Sequence, residues 1–176
     1  MRKHTIDAML TRIAAGDNEA FERLYIETKR GVYAFVHTYL GNRFDTEDAL
    51  QDVYLKIKSN IRSYRPGTNG LAWILEIAKN TALNELRAEA SRRKQIYDSS
   101  GVADEIADRA ALKDLLVTTM RERLDEEEQR IVVLHVVWGY RHREIADIIG
   151  CPTGTVTSKY KRAVDKLKEA LKEEDK

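Results

Sequence analysis

Tyr140-Arg-His-Arg-Glu-Ile-Ala-Asp-Ile-Ile-Gly150-Cys-Pro-Thr-Gly-Thr-Val-Thr-Ser-Lys-Tyr160 is the stretch on which the fold turns. Ile145, Ala146 and Ile149 put an apolar stripe on a short helix, and Ala146 is small where a second helix has to cross closely. Gly150 permits a sharp turn at the end of that helix. Pro152 suits the first turn of the next helix, and Val156 then faces back toward the core. A short helix, a glycine turn and a second helix form a helix-turn-helix, whose second helix enters the major groove of DNA. Arg141 stands where Ser or Thr often caps the first helix, so that end lacks a side-chain acceptor. From Tyr140 to Lys172 there are eight basic and four acidic residues, while the whole chain has a formal net charge of only +1. Basic charge is thus concentrated where phosphates would lie.

The same periodicity extends outward in both directions. A helix from about Arg109 to Leu124 has Leu112, Leu115, Leu116 and Met120 inward. Asp125 opens the next, with Glu128 three residues on as a capping box, and Gly139 ends it. The last helix runs from near Pro152 to about Lys172. In the first half, one helix covers Thr5 to Ala15, with Ile6, Met9, Leu10 and Ile13 on one face. Asp17 caps a second, Glu19 to Leu40, carrying Phe21, Leu24, Tyr25, Thr28, Val32, Phe35, Val36 and Tyr39 at spacings of three and four, and Gly41 closes it. Asp45 or Thr46 caps a third, with Leu50, Val53, Tyr54, Ile57 and Ile61 inward. Arg65-Pro-Gly-Thr-Asn-Gly70 is a turn, and a fourth helix runs from Leu71 to Arg92. Residues 93–108 lack a sustained apolar stripe and read as a linker. The expected fold is all-α, with two small helical domains: an N-terminal bundle over 1–92 and a C-terminal four-helix domain over 109–176 that contains the helix-turn-helix.

Composition narrows the function classes. One cysteine, Cys151, among 176 residues allows no internal disulfide and suits a cytoplasmic protein. Cys151 itself is expected to be a small buried residue at the turn. Met1 to Leu10 has no long apolar core and does not read as a signal peptide, and no apolar run approaches the roughly 20 residues of a membrane span. The histidines His4, His37, His135 and His142 are scattered, with no metal-ligand spacing to Cys151. There is no glycine-rich phosphate loop and no nucleophile elbow, so no enzyme, metal or cofactor is expected.

Two further surfaces follow from helical geometry. On the fourth helix Leu71, Leu75, Ala78, Ala82 and Leu86 share one face, and Trp73, Ile77, Asn80, Asn84 and Arg87 share the other. Trp73 and Ile77 are expected to pack on a neighbouring helix. Asn80 and Asn84 have no structural reason to sit mid-helix, and amides beside Arg87 suit contact with single-stranded bases. On the third helix Asp48, Asp52 and Leu55 point away from the buried stripe with Gln51 on the flank, a protein-docking pattern of apolar centre and polar rim.

Taken together, these segments resemble the extracytoplasmic-function group of bacterial sigma factors, within the sigma-70 family. Gly16-Asp-Asn-Glu-Ala-Phe-Glu-Arg-Leu-Tyr25 is similar to the family's opening helix. Asp45-Thr-Glu-Asp-Ala-Leu-Gln-Asp-Val-Tyr-Leu55 resembles its polymerase-docking segment. Leu71-Ala-Trp-Ile-Leu-Glu-Ile-Ala-Lys-Asn-Thr-Ala-Leu-Asn-Glu-Leu-Arg87 resembles its promoter-melting helix. The resemblance implies transcription initiation with core RNA polymerase and promoter DNA as partners. Asp48, Gln51, Asp52 and Leu55 would meet the polymerase clamp, and Asn80, Asn84 and Arg87 the melted −10 element. Thr155, Thr157, Ser158, Lys159, Lys161 and Arg162 would face the −35 element. It also implies an anti-sigma partner and no membrane insertion. The competing reading of the residues is a helix-turn-helix regulator that binds DNA without docking on polymerase.

Overall fold

The computed structural model describes residues 3–97 and 113–174, and every element among them is helical. In the first bundle α1 (Lys3–Ala14), α2 (Asn18–Leu40), α3 (Arg43–Asn60) and α4 (Gly70–Tyr97) pack around Ile6, Leu10, Leu24, Phe35, Val53, Ile57, Ile74 and Leu75. A 3-10 turn, Ile61–Ser63, follows α3. The second bundle comprises α5 (Lys113–Arg123), α6 (Glu126–Val136), α7 (His142–Ile149) and α8 (Thr153–Glu174), around Ile131, Leu134, Ile145, Val156 and Ala163.

Capping chemistry sets the helix ends. Asp17 accepts from the Ala20 amide at 2.9 Å at the start of α2. Asp125 accepts from the Glu128 amide at 2.8 Å, and the Glu128 carboxylate accepts from the Asp125 amide at 3.1 Å, completing the predicted capping box. Glu128 is buried, and Lys166 Nζ donates to it at 2.7 Å from α8, so the capping group is also an ion pair between helices. Gly150 takes φ 74° at the α7 terminus, a left-handed conformation that glycine adopts without strain. At the start of α7 the Glu144 carboxylate reaches back to accept from the Arg141 amide at 2.8 Å, so that amide is satisfied although the Arg141 side chain offers no acceptor to the first turn.

The sequence expectation changes at several points. The cap of α3 is Asn42, whose side-chain oxygen accepts from the Asp45 amide at 2.9 Å, and not Asp45 or Thr46. Thr46 is buried instead, its hydroxyl turned to the Asn42 carbonyl. The fourth helix runs on to Tyr97, beyond Arg92. Residues 98–108 of the predicted linker, Leu112 and the side chain of Leu115 lie outside what the structure describes. Leu116 is exposed, while the second half of α5 packs against its neighbours. There Thr119, Met120 and Leu124 are buried, Arg121 lies on Gly41 of α2, and Arg123 pairs with Glu173 of α8 at 2.8 Å. Tyr25 is also exposed, resting edge-on against Tyr54 with ring centroids 4.8 Å apart. Cys151 is half-buried rather than buried.

The two bundles pack against each other through α2 with α5 and α6, and through the start of α4 with α7. Lys79 Nζ lies 2.5 Å from Glu126, and Asn69 donates to the Asp147 carbonyl at 3.3 Å. This packing explains the burial pattern of α7. The buried residues are Ile145, Ala146 and Ile148, with Ile149 half-covered, because Ile148 borders a crevice with Leu71 and Asn69 of the first bundle.

Candidate nucleic-acid interface

The helix-turn-helix presents one face of α8. Val156, Ala163, Leu167 and Ala170 are buried at helical spacing and fix the rotation of the helix. That rotation exposes Thr157, Ser158, Lys161 and Arg162, and leaves Thr155 half-buried. Thr157 donates to the Thr153 carbonyl at 3.0 Å and also meets His142 Nδ1 at 3.1 Å. Ser158 donates to the Thr155 carbonyl at 3.0 Å. Beneath them the rings of His135, His142 and Tyr160 stand within 4.6–5.0 Å of one another. His135 Nδ1 is 2.8 Å from the Tyr140 carbonyl, which ties this cluster to the entry of α7.

Lys159 departs from the expected outward set. Its side chain is only 19% exposed, and its ammonium donates to Glu127 at 2.6 Å, with Asp125 at 3.8 Å. The Glu127 carboxylate holds the Lys159 pKa above its ordinary value. The cause is tertiary: the acidic first turn of α6 lies beside α8 and captures the nearest lysine.

On α4 the opposite faces are sharply divided. Leu71, Ile74, Leu75, Ala78 and Ala82 are buried, while Asn80, Asn84 and Arg87 are exposed. Arg87 donates to the Asn84 side-chain oxygen at 3.2 Å. Trp73 and Ile77 are half-buried against the core, with the Trp73 ring 5.3 Å from that of Tyr64. The turn before α4 is held from α1, since Asp7 accepts from the Tyr64 hydroxyl at 2.5 Å and from the Gly67 amide at 2.9 Å. Nothing in the residue spacing announces that tie.

On α3 Asp48, Gln51, Asp52 and Leu55 are all exposed, Leu55 by 66%. Asp48 and Asp52 border a cleft of about 290 Å³ between α3 and α4, whose far wall carries Asn84 and Glu85. Lys56 crosses its floor to donate to Thr81 at 3.1 Å. The expected docking patch and the expected base-reading face therefore adjoin at Asn84. Among the described residues no group of three or more His, Cys, Asp or Glu side chains is arranged to hold a metal ion, and no helix is long and apolar enough to cross a membrane.

Comparison with known proteins places the chain in a family. Residues 24–92 match Sigma-70 region 2, and residues 114–167 match Sigma-70, region 4. The ECF RNA polymerase sigma factor SigK of Mycolicibacterium vanbaalenii is 28% identical over 174 residues, covering 94% of this chain and 89% of that relative. The ECF RNA polymerase sigma-E factor of Escherichia coli is 28% identical over 174 residues, covering 90% of each. In fold the chain is similar to CnrH, solved in complex with the cytosolic domain of CnrY, at a TM-score of 0.70 and 19% identity over 96% of this chain and 97% of that one. It is also similar to the sigma factor RpoE of Bartonella quintana, solved with the anti-sigma factor NepR, at a TM-score of 0.61 and 25% identity over 86% of this chain and 96% of that one. With both family regions matched in order on the two helical bundles, the chain belongs to the extracytoplasmic-function group of the sigma-70 family.

Proposed function

We propose that the work of this family, directing RNA polymerase to promoters, is divided in this chain among three surfaces. Asp48, Gln51, Asp52 and Leu55 of α3 dock on core polymerase. Asn80, Asn84 and Arg87 of α4 read the −10 element once its bases leave the stack, where amides reach Watson–Crick edges. Thr157, Ser158, Lys161 and Arg162 of α8, with Thr155 at the rim, face the −35 duplex. Lys159 supports that face through Glu127. The observation that carries this reading is that α4 and α8 each turn one exposed polar face outward while the opposite face is buried in its own bundle. The domain division in this reading is 1–92 for docking and −10 recognition, 109–176 for the −35 element, and 93–108 between them, of which 93–97 continue α4.

The chain acts without cofactor or enzymatic chemistry, in the cytoplasm with the polymerase. The solved relative that is 25% identical was crystallised with an anti-sigma factor, which supports an anti-sigma partner here. A regulator binding DNA without polymerase would leave the region 2 match over residues 24–92 without a role. Run-off transcription with core polymerase and a promoter library tests the reading. Transcripts from a defined subset of promoters are expected. Specific duplex binding with no transcript from any template would favour the polymerase-independent regulator.

A further inference from the structure

We propose that His142 is a positioning residue for −35 recognition: its Nδ1–H fixes the Thr157 hydroxyl as a hydrogen-bond acceptor, so that Thr157 selects a base with a major-groove amino group, adenine or cytosine, over thymine or guanine. The proposal deepens the −35 reading of α8 and rests on it.

Thr157 is well placed for a base edge. It lies one turn into α8, and the N-terminal residues of a recognition helix are the ones that contact bases. Lys161 follows one turn later with Arg162 beside it, so cations for the phosphates stand behind it along the helix. Its side chain is exposed, yet its hydroxyl is engaged twice, by the Thr153 carbonyl at 3.0 Å and by His142 Nδ1 at 3.1 Å. The neighbouring Ser158 hydroxyl is held from its own helix, by the Thr155 carbonyl at 3.0 Å, whereas Thr157 is also gripped across the turn from α7.

Proton counting decides the direction of these contacts. A hydroxyl has one hydrogen and a carbonyl only accepts, so the Thr157 hydrogen is spent on Thr153. The contact with His142 then needs a hydrogen on Nδ1. The opposite arrangement, with Thr157 donating to Nδ1, would leave two oxygens 3.0 Å apart with no hydrogen between them. It would also put the ring hydrogen on Nε2, which is buried and has no acceptor among the described residues. Burial and the His135 ring hold the His142 pKa below its ordinary value, so near pH 7.5 the ring carries a single hydrogen. With that hydrogen on Nδ1, the Thr157 oxygen keeps one lone pair for an outside donor.

The ring is itself held in place. His142 opens α7 with the His135 and Tyr160 ring centroids each 5.0 Å from its own. His135 Nδ1 is 2.8 Å from the Tyr140 carbonyl, which only accepts, so His135 donates there. Contacts thus run from the Tyr140 backbone through two imidazoles to one hydroxyl on the outward face. In the major groove the amino groups are N6 of adenine and N4 of cytosine, while thymine O4 and guanine O6 and N7 only accept. An oxygen locked as an acceptor pairs with the first two and meets the lone pairs of the others.

The test uses the full chain and −35 duplexes that it selects from a randomised pool. Thr157→Val, close in shape and exposed, should relax base preference at a single position, where the wild type prefers adenine or cytosine. The same base without its amino group, purine or pyrimidin-2-one, should weaken wild-type binding about fivefold, as for one hydrogen bond, and Thr157→Val binding not at all. His142→Phe should cut that discrimination to about twofold or less and leave the other positions unchanged. His142→Asn, whose amide nitrogen falls near Nδ1, should restore it, and His142→Gln, whose amide reaches toward Nε2, should not. Helical circular dichroism checks that each variant is folded, and the base-analogue comparison stands without any His142 variant. A preference for thymine or guanine at the Thr157 position overturns the proposal, as does a wild-type chain indifferent to the missing amino group. So does discrimination that survives His142→Phe, or a uniform loss on every duplex in that variant, which would mark a purely structural role. Selection of no duplex by the wild type would sink the −35 reading itself. Unaltered base preferences in Thr157→Val, with Arg162→Ala still weakening binding, would sink only the proposal.

Discussion

Replacing Arg162 and Lys159 separately by alanine distinguishes two roles that charge alone would assign to both. Arg162 is exposed on the outward face of α8, whereas the Lys159 ammonium is 2.6 Å from Glu127 and its side chain is 19% exposed. Each phosphate contact contributes about 0.9 to the slope of log affinity against log salt. Between 50 and 200 mM salt, a fourfold change, one contact is therefore worth about a 3.5-fold change in affinity. Arg162→Ala should lose that much of the salt dependence for a −35 duplex, measured by fluorescence anisotropy with the full chain. Lys159→Ala should keep the wild-type slope. It should instead lower the melting temperature by a few degrees, since a part-exposed ion pair contributes up to ~1 kcal/mol and a chain of this size shifts about 2–4 °C for each. The reasoning is refuted if Lys159→Ala flattens the slope as Arg162→Ala does while leaving the melting temperature alone. Lys159 would then leave Glu127 for a phosphate.

Leu55→Asp should weaken core-polymerase binding in a pull-down with no change in melting temperature, because Leu55 is 66% exposed. Unfolding by that change would mean the α3 face is assigned wrongly. Asn80→Ala and Asn84→Ala should each weaken open-complex formation by about fivefold or more, from ~1–3 kcal/mol for an amide–base pair. They should stay defective on a pre-melted bubble template, where Arg162→Ala should recover, and a shared defect on both templates would contradict the division. His142 gives a pH signature. Burial, then the neighbouring His135 ring, holds its pKa below the ordinary 6.5, and its buried Nε2 has no acceptor for a proton. Its stabilisation is therefore complete above about pH 6.5 and is lost as pH falls through the lower folded-state value. Around it stand His135, Tyr160 and Thr157. Thermal melts at pH 7.5 and 5.5 should show a larger acid loss for the wild type than for His142→Gln, and equal losses would remove His142 from the account.

Helix identity and phase were legible in the chain because they depend on residues within a turn or two. The Asp17 cap, the Asp125–Glu128 box, the left-handed Gly150 and the outward turn of Leu55, Asn80 and Asn84 all follow from local spacing. The start of α3 differs from the local expectation even at this range, because Asn42, Asp45 and Thr46 are competing caps and backbone geometry chooses Asn42. What tertiary structure decided has partners far along the chain. Lys159 is withdrawn from the basic face by Glu127, 32 residues away. Ile148 is covered by the start of α4, although within the motif Ile149 had the better periodicity. Leu116 is exposed although its spacing puts it with the inward residues of α5. The Trp138 ring lies against Gly31 of α2, a contact that the local spacing around either residue does not announce. Periodicity states which face of a helix is apolar, but it carries no record of which distant element covers that face. Charge counts likewise carry no record of which lysine is already bound.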